Sequence, residues 1–192
     1  MNRNSFMRGC FALGAFLISP WVSIAKTKSK DRINKGLKVD AGKDRFNEPI
    51  SLLEGDTFFT KVSSEDTNND LYIFESIRVK KGGPREHVHF EQDEFWFILE
   101  GEFLFKVGDQ TFMAKAGDSV FGPRQVPHAF AKMNDGNARI LMAFQPAGKM
   151  EALFKAMSQG IFKNMNEEEK DQYRQAHGFK MVGPALNYEK KG

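Results

Sequence analysis

The chain is poor in cysteine: Cys10 is the only one in 192 residues. That excludes an internal disulfide framework and any metal site built on several thiolates. Charge of one sign is scarce too. Lys and Arg number 28 against 25 Asp and Glu, with no one-signed block, so the concentrated basic face of a nucleic-acid binder is missing. Only 3 Tyr and 2 Trp accompany 19 Phe, so the aromatic content is apolar and suits a packed interior. No internal repeat is visible. A composition of 41% hydrophobic and 28% charged residues argues against both a disordered chain and a helical membrane protein. The length corresponds to one domain with some extra chain.

The N-terminus differs from the rest. Arg3 and Arg8 precede an uncharged stretch over 9–25, and Ser23 and Ala25 put small residues where a signal peptidase reads. Residues 1–25 therefore read as a signal peptide cleaved after Ala25. The stretch is shorter than the roughly 20 residues of a membrane span and contains Pro20, although a retained anchor is the alternative. The arginines are not adjacent, and the apolar stretch follows Cys10 instead of preceding it, which argues against a twin-arginine or lipoprotein signal. Cleavage removes two arginines and the cysteine. The nearly neutral, thiol-free remainder suits a periplasmic or secreted location without stable membrane insertion.

Residues 26–45 are polar and Lys-rich and read as a linker or flexible arm. From 46 to 146 the hydrophobic pattern has period two. Strands are expected over 57–62, 71–79, 94–99, 102–107, 110–114, 119–121, 128–133 and 138–144. Turn formers separate them: Glu100-Gly101, Gly108-Asp109, Gly117-Asp118 and the Asn-rich stretch 134–137. Many short strands at this spacing predict an all-β antiparallel sandwich or barrel. In the remainder, 147–192, Met150, Leu153, Phe154 and Met157 recur at helical spacing. A second helix is signalled by Asn166 as N-cap, three glutamates after it and Gly178 as the stop. This helical extension cannot form its own core and is expected to pack on the barrel.

Three of the four histidines fall in the β region. His87 and His89 are two apart, so on a strand both imidazoles point to one side. Glu94 follows after a bend, and His128 opens a later strand. Three imidazoles and one carboxylate form a ligand set for one divalent first-row metal with open positions: Fe, Mn, Ni, Cu, Co or Zn. His177, at a helix end with no partner spacing, is not read as a ligand.

These residues resemble the two motifs of the cupins. The first reads His87-Val88-His89, four residues, Glu94, six residues, Gly101; the second reads Gly117, five residues, Pro123, four residues, His128. The sequence departs from the family pattern at the leading glycine (Gly82 or Gly83, displaced by one), at Gln125 where Gly is usual, and at Lys132 where Asn is common. The stretch from Gly122-Pro123-Arg124 to Phe130, with the tail segments His177-Gly178-Phe179 and 183–186, is similar to small bacterial single-domain cupins related to quercetin 2,3-dioxygenases. The resemblance implies a jelly-roll barrel (a double-stranded β-helix), a homodimer, and oxidative chemistry on a small aromatic or enol substrate. The two motifs are expected to come from opposite sheets.

Strand alternation puts Trp96 and Ile98 with Glu94, and Phe130 with His128, while Phe95, Phe97 and Leu99 face the other way toward a second sheet or a partner copy. Trp96 and Phe130, with neighbours such as Met142 or Phe144, read either as walls of a substrate pocket or as core. Arg85 and Arg124 read either as binders of a substrate carboxylate or enolate or as solvated surface charges. Three functions fit. The first is a metal-dependent dioxygenase or related oxidoreductase, with Glu94 able to accept a substrate proton. The others are a non-redox lyase or isomerase and a small-ligand-binding protein.

Overall fold

The computed structural model describes residues 32–52 and 55–188. The expected signal peptide, and the arm as far as Asp31, lie outside them. From Arg32 the chain runs without helix or strand until Ile50. Its last part is docked. The buried Asp44 carboxylate accepts the N–H of Phe46 at 2.8 Å, Glu48 at 3.1 Å and Thr60 at 2.6 Å. Arg45 pairs with the buried Asp66 at 3.2 Å.

Eleven strands follow among the described residues: β1 (Ile50–Ser51), β2 (Thr57–Val62), β3 (Tyr72–Arg78), β4 (Arg85–His89), β5 (Asp93–Glu100), β6 (Glu102–Val107), β7 (Gln110–Lys115), β8 (Ser119–Gly122), β9 (His128–Lys132), β10 (Ala138–Gln145) and β11 (Phe179–Ala185). They form two antiparallel sheets. One has six strands in the order β1-β2-β3-β10-β5-β8, the other five in the order β11-β4-β9-β6-β7. The expected strands appear with ends shifted by a residue or so. The period-two pattern explains why: Trp96 and Ile98 on β5, Ile140 and Phe144 on β10, and Phe103 and Phe105 on β6 are all buried, and their neighbours in sequence face away. The Phe-rich composition is spent between the sheets, where Phe58, Phe74, Phe103, Phe105, Phe130 and Phe144 are buried. Each buried Phe contributes roughly 1.5–3 kcal/mol.

The extension after Pro146 holds two helices, α1 (Met150–Ser158) and α2 (Glu167–Ala176). The Asn166 side chain caps α2 by accepting the Glu169 N–H, as its sequence signals. Helix α1 packs on the barrel through Leu153 and through Phe154, whose ring lies 5.1 Å from Phe58 and 5.6 Å from Phe74. The extension is not purely helical, however. After Gly178 it returns as β11 and joins the edge of the five-stranded sheet beside β4. The alternation of Phe179 and Met181 with Lys180 and Val182 is real but spans only four residues before Gly183-Pro184, too short to read against two preceding helices.

Candidate metal centre

Strand β4 carries His87 and His89 on one face, and β9 lies beside it with His128 directly opposite His87. Glu94 comes from β5, in the other sheet. The boundary between sheets therefore runs inside the first motif, between His89 and Glu94, and not between the two motifs as expected. The reason is the bend over 90–92, which carries the chain across the barrel in a few residues. All four side chains are buried, with exposures of 7%, 0%, 2% and 0% for His87, His89, Glu94 and His128. One ligand atom from each lies within 4.8 Å of the others. Glu94 Oε2 is 3.1 Å from His128 Nε2, 3.2 Å from His89 Nε2 and 4.0 Å from His87 Nε2.

The hydrogen bonds fix which nitrogen faces inward. His87 Nδ1 lies 2.8 Å from the Arg85 carbonyl oxygen, and His128 Nδ1 lies 3.0 Å from that of Val126. A carbonyl only accepts, so these Nδ1 atoms carry the proton. In a neutral ring Nε2 is then a bare lone pair. Burial, reinforced by His128 and His89, pushes the His87 pKa down to about 3, so this ring is neutral. Burial alone would raise Glu94; the contacts with His128 and His89 outweigh it and hold the carboxyl at about 2. His128 Nε2 meets a carboxylate oxygen of Glu94 at 3.1 Å. Both nitrogens of His89 are buried without a hydrogen-bond partner, because its approach to Glu94 is short but misaligned. An imidazole buried with both nitrogens unpartnered beside a buried carboxylate is costly as it stands. One divalent cation drawing on all four removes that cost, so these residues fit a metal.

Aromatic rings close the surroundings. Trp96 is fully buried with its ring centroid 5.3 Å from that of His128, and Phe144 is 5.3 Å from His89. Trp96 therefore walls the site while also being core. Phe130 does not reach the histidine rings in the same way. Two residues along β9, it contacts Trp96, Phe103, Phe105 and the Arg78 guanidinium, a layer below the ligands. Arg85 is exposed and donates to the Gly183 carbonyl at 3.3 Å, toward β11. Arg124 grips Asp93 through Nε at 3.0 Å and Nη2 at 2.6 Å, and its backbone N–H donates to the same carboxylate at 2.9 Å. That clamp holds the residue next to Glu94. His177 stacks on Tyr173 at the end of α2 and its Nδ1 meets the Tyr173 carbonyl, away from the ligand cluster.

The departures from the motif pattern have local reasons. Gln125 adopts the left-handed φ of 65° that Gly usually supplies, and its N–H donates to the His89 carbonyl at 2.8 Å. Gly83 passes so close to β9 that a Cβ would sit 1.9 Å from the Phe130 carbonyl oxygen. Lys132 is fully buried at the far end of β9, its ammonium donating to the carbonyls of Val79 and Asn134 at 3.2 and 3.0 Å. Phe144, expected beside the metal, is there, whereas the contributions of Asp93 and Phe179 escaped sequence reasoning. Their parity was legible, but their contacts depend on which strands become neighbours.

Two antiparallel sheets thus enclose a three-histidine, one-carboxylate cluster that could hold a metal ion. The family comparison agrees, since residues 75–144 match the family model described as a cupin domain, a stretch that contains all four candidate ligands. A curated relative, an uncharacterized protein of Methanocaldococcus jannaschii, is 30% identical over 60 residues, 31% of this chain and 48% of its own length. The chain thus spans about half the length of that relative. Among solved structures, KdgF from Halomonas sp. is 15% identical with a TM-score of 0.46, over 52% of this chain and 86% of that one. A predicted oxalate decarboxylase from Thermotoga maritima is 21% identical with a TM-score of 0.45, over 51% and 90%.

Proposed function

We propose that this protein holds one divalent transition metal on His87, His89, Glu94 and His128 and works as a dioxygenase-type oxidoreductase on a small aromatic or enol substrate, outside the cytosol. The observation that carries the reading is the set of three buried imidazole Nε2 atoms gathered within 4.0 Å of one carboxylate oxygen. When bound, the metal supplies open coordination positions for substrate oxygen and dioxygen. The chain's residues do the rest. The Arg85 and Val126 carbonyls hold two imidazoles in orientation. Trp96 and Phe144 keep the site dry and favour a planar apolar substrate over a sugar phosphate. Glu94, the only carboxylate in the cluster, is assigned as the base that takes up a substrate proton at Oε2. Phe95, Leu99 and Phe121, exposed on one face of the six-stranded sheet, support pairing with a second copy.

The test is made on protein purified from its own host. N-terminal sequencing should begin near Lys26, elemental analysis should return about one redox-capable metal per chain, and oxygen uptake should appear on a panel of flavonols. Native protein filled with zinc and silent in oxygen uptake rejects the oxidoreductase reading and leaves the non-redox lyase or isomerase. A chain beginning at Met1 or Asn2 rejects cleavage after Ala25 and leaves the retained membrane anchor.

A further inference from the structure

The four ligands are buried, so what reaches an open metal position depends on the side chains that cover them. The walls are not equally fixed. Strands β5 and β10 each have ladders on both sides in the six-stranded sheet, and β9 lies between β4 and β6. Strand β11 is an edge, paired with β4 alone. Its ladder sets Phe179 opposite His89, Lys180 opposite Val88 and Met181 opposite His87, then shifts register before Ala185. Residues opposite one another in a ladder project to the same side, so Phe179 and Met181 share the metal face with His89 and His87. The Phe179 ring lies 5.4 Å from His89 and 5.7 Å from His87 and is 7% exposed.

The strand is also tied to the ligand-bearing loop. Phe90 N–H donates to the Gly178 carbonyl at 2.8 Å. Gln92, between His89 and Glu94 in sequence, is buried between Gly148 and Gly178, the two ends of the helical extension. A Cβ on either glycine would collide with its amide. Gly178 has φ +100°, a conformation that a residue with a side chain rarely adopts. The extension is therefore anchored to the metal loop on both sides of its helices, and its last strand lies across the histidines.

We propose that β11 is the movable wall of the metal centre and that Phe179 is the side chain that determines what reaches the metal. The inference rests on the metal-site reading above. An edge strand opens by breaking one ladder, and such local opening takes less free energy than parting strands paired on both sides. Ligands small enough to pass the ring enter with little movement of β11, and larger ones need the strand to lift.

The experiment uses the full chain loaded with Co(II), read by its visible d–d spectrum. Wild-type protein should hold about one cobalt, released slowly to EDTA. Phe179→Ala should hold the same amount, release it about tenfold faster or more, and bind imidazole as an added ligand more tightly by about the same factor. A second variant does not disturb the ring: Lys180→Cys with Val88→Cys, in a Cys10→Ser background, places two thiols across the ladder at a separation a disulfide can span. Its oxidised form should release cobalt about tenfold more slowly than its reduced form. Equal release rates in Phe179→Ala and wild type, or in the oxidised and reduced cross-link, overturn the gate while leaving the metal site standing. Wild-type protein that binds no cobalt overturns the metal site and the gate with it.

Discussion

In the proposed metal site each of the three histidines would supply one of only four protein donors, which makes the cluster sensitive to single atoms. His87→Ala, His89→Ala or His128→Ala should each lower metal occupancy by about tenfold or more at limiting metal, read by elemental analysis after gel filtration. Glu94→Gln keeps a neutral oxygen donor and should retain more metal than any histidine loss, while turnover falls. His177→Ala should leave metal content unchanged, because its imidazole is engaged with Tyr173. A series in which His177→Ala empties the site and His128→Ala does not would overturn the assignment. The four candidate ligands were legible in the sequence because their chemistry is rare in strands and their spacing is short or motif-bound. The substrate-facing residues were not equally legible. Trp96 and Phe130 share strand spacing with half the core, and only the fold separates the ring that touches His128 from the ring a layer below. Nor does sequence reveal that Arg124 is fully engaged by Asp93.

Helix α1 is fastened to the barrel by one buried carboxylate. Glu151 accepts from the Ser63 hydroxyl at 2.8 Å, the Ser64 N–H at 2.7 Å, the Ser64 hydroxyl at 2.6 Å and Lys155 at 2.7 Å. Burial raises its pKa, but the bonds from Lys155, Ser64 and Ser63 together outweigh burial and hold it below the usual carboxylate range. A carboxyl depressed in the folded state stabilises fully above its unfolded pKa, and that stability is lost as pH falls through the folded value. The urea midpoint of the wild type should therefore fall on going from about pH 6 to about pH 3. Glu151→Gln should cost about 1–3 kcal/mol near neutrality and show a shallower fall. Equal slopes in the two proteins would remove Glu151 from the acid response. At this scale eight strands of the barrel were readable from alternation and turn residues, while β1 and the bounds of β4 were not. Strand β11 was not, since its partner β4 lies some ninety residues upstream and no local pattern announces that pairing.

For the molecule as a whole, the outer face of the six-stranded sheet matters. Register places Phe95 opposite both Phe121 on β8 and Ala143 on β10, and Phe97 opposite Leu141. Phe95 and Phe121 are 39% and 56% exposed, on a strand pair that ends the sheet. Exposed apolar surface next to a free strand edge is the kind that association covers. Sedimentation at micromolar concentration should give a homodimer, and Phe121→Lys should shift it toward monomer without changing metal content. A wild-type monomer under those conditions rejects the pairing. Sequence separated the outward residues from the inward ones on β5, but the neighbouring Phe121 entered the patch only through the ladder.

The carbonyl bonds of His87 and His128 have a further consequence. In both cases the accepting oxygen belongs to the residue two positions upstream on the same stretch of chain. The aim of these rings is thus written into short peptides, and it forms as soon as the local backbone does, with no distant neighbour needed. His89 has no such bond and relies on the rings of Phe144 and Phe179 for its orientation. Two of the donors are portable: their segments, moved into another barrel at the same register, would bring their orientation along. The third belongs to the whole fold, because the rings that hold its angle come from β10 and β11.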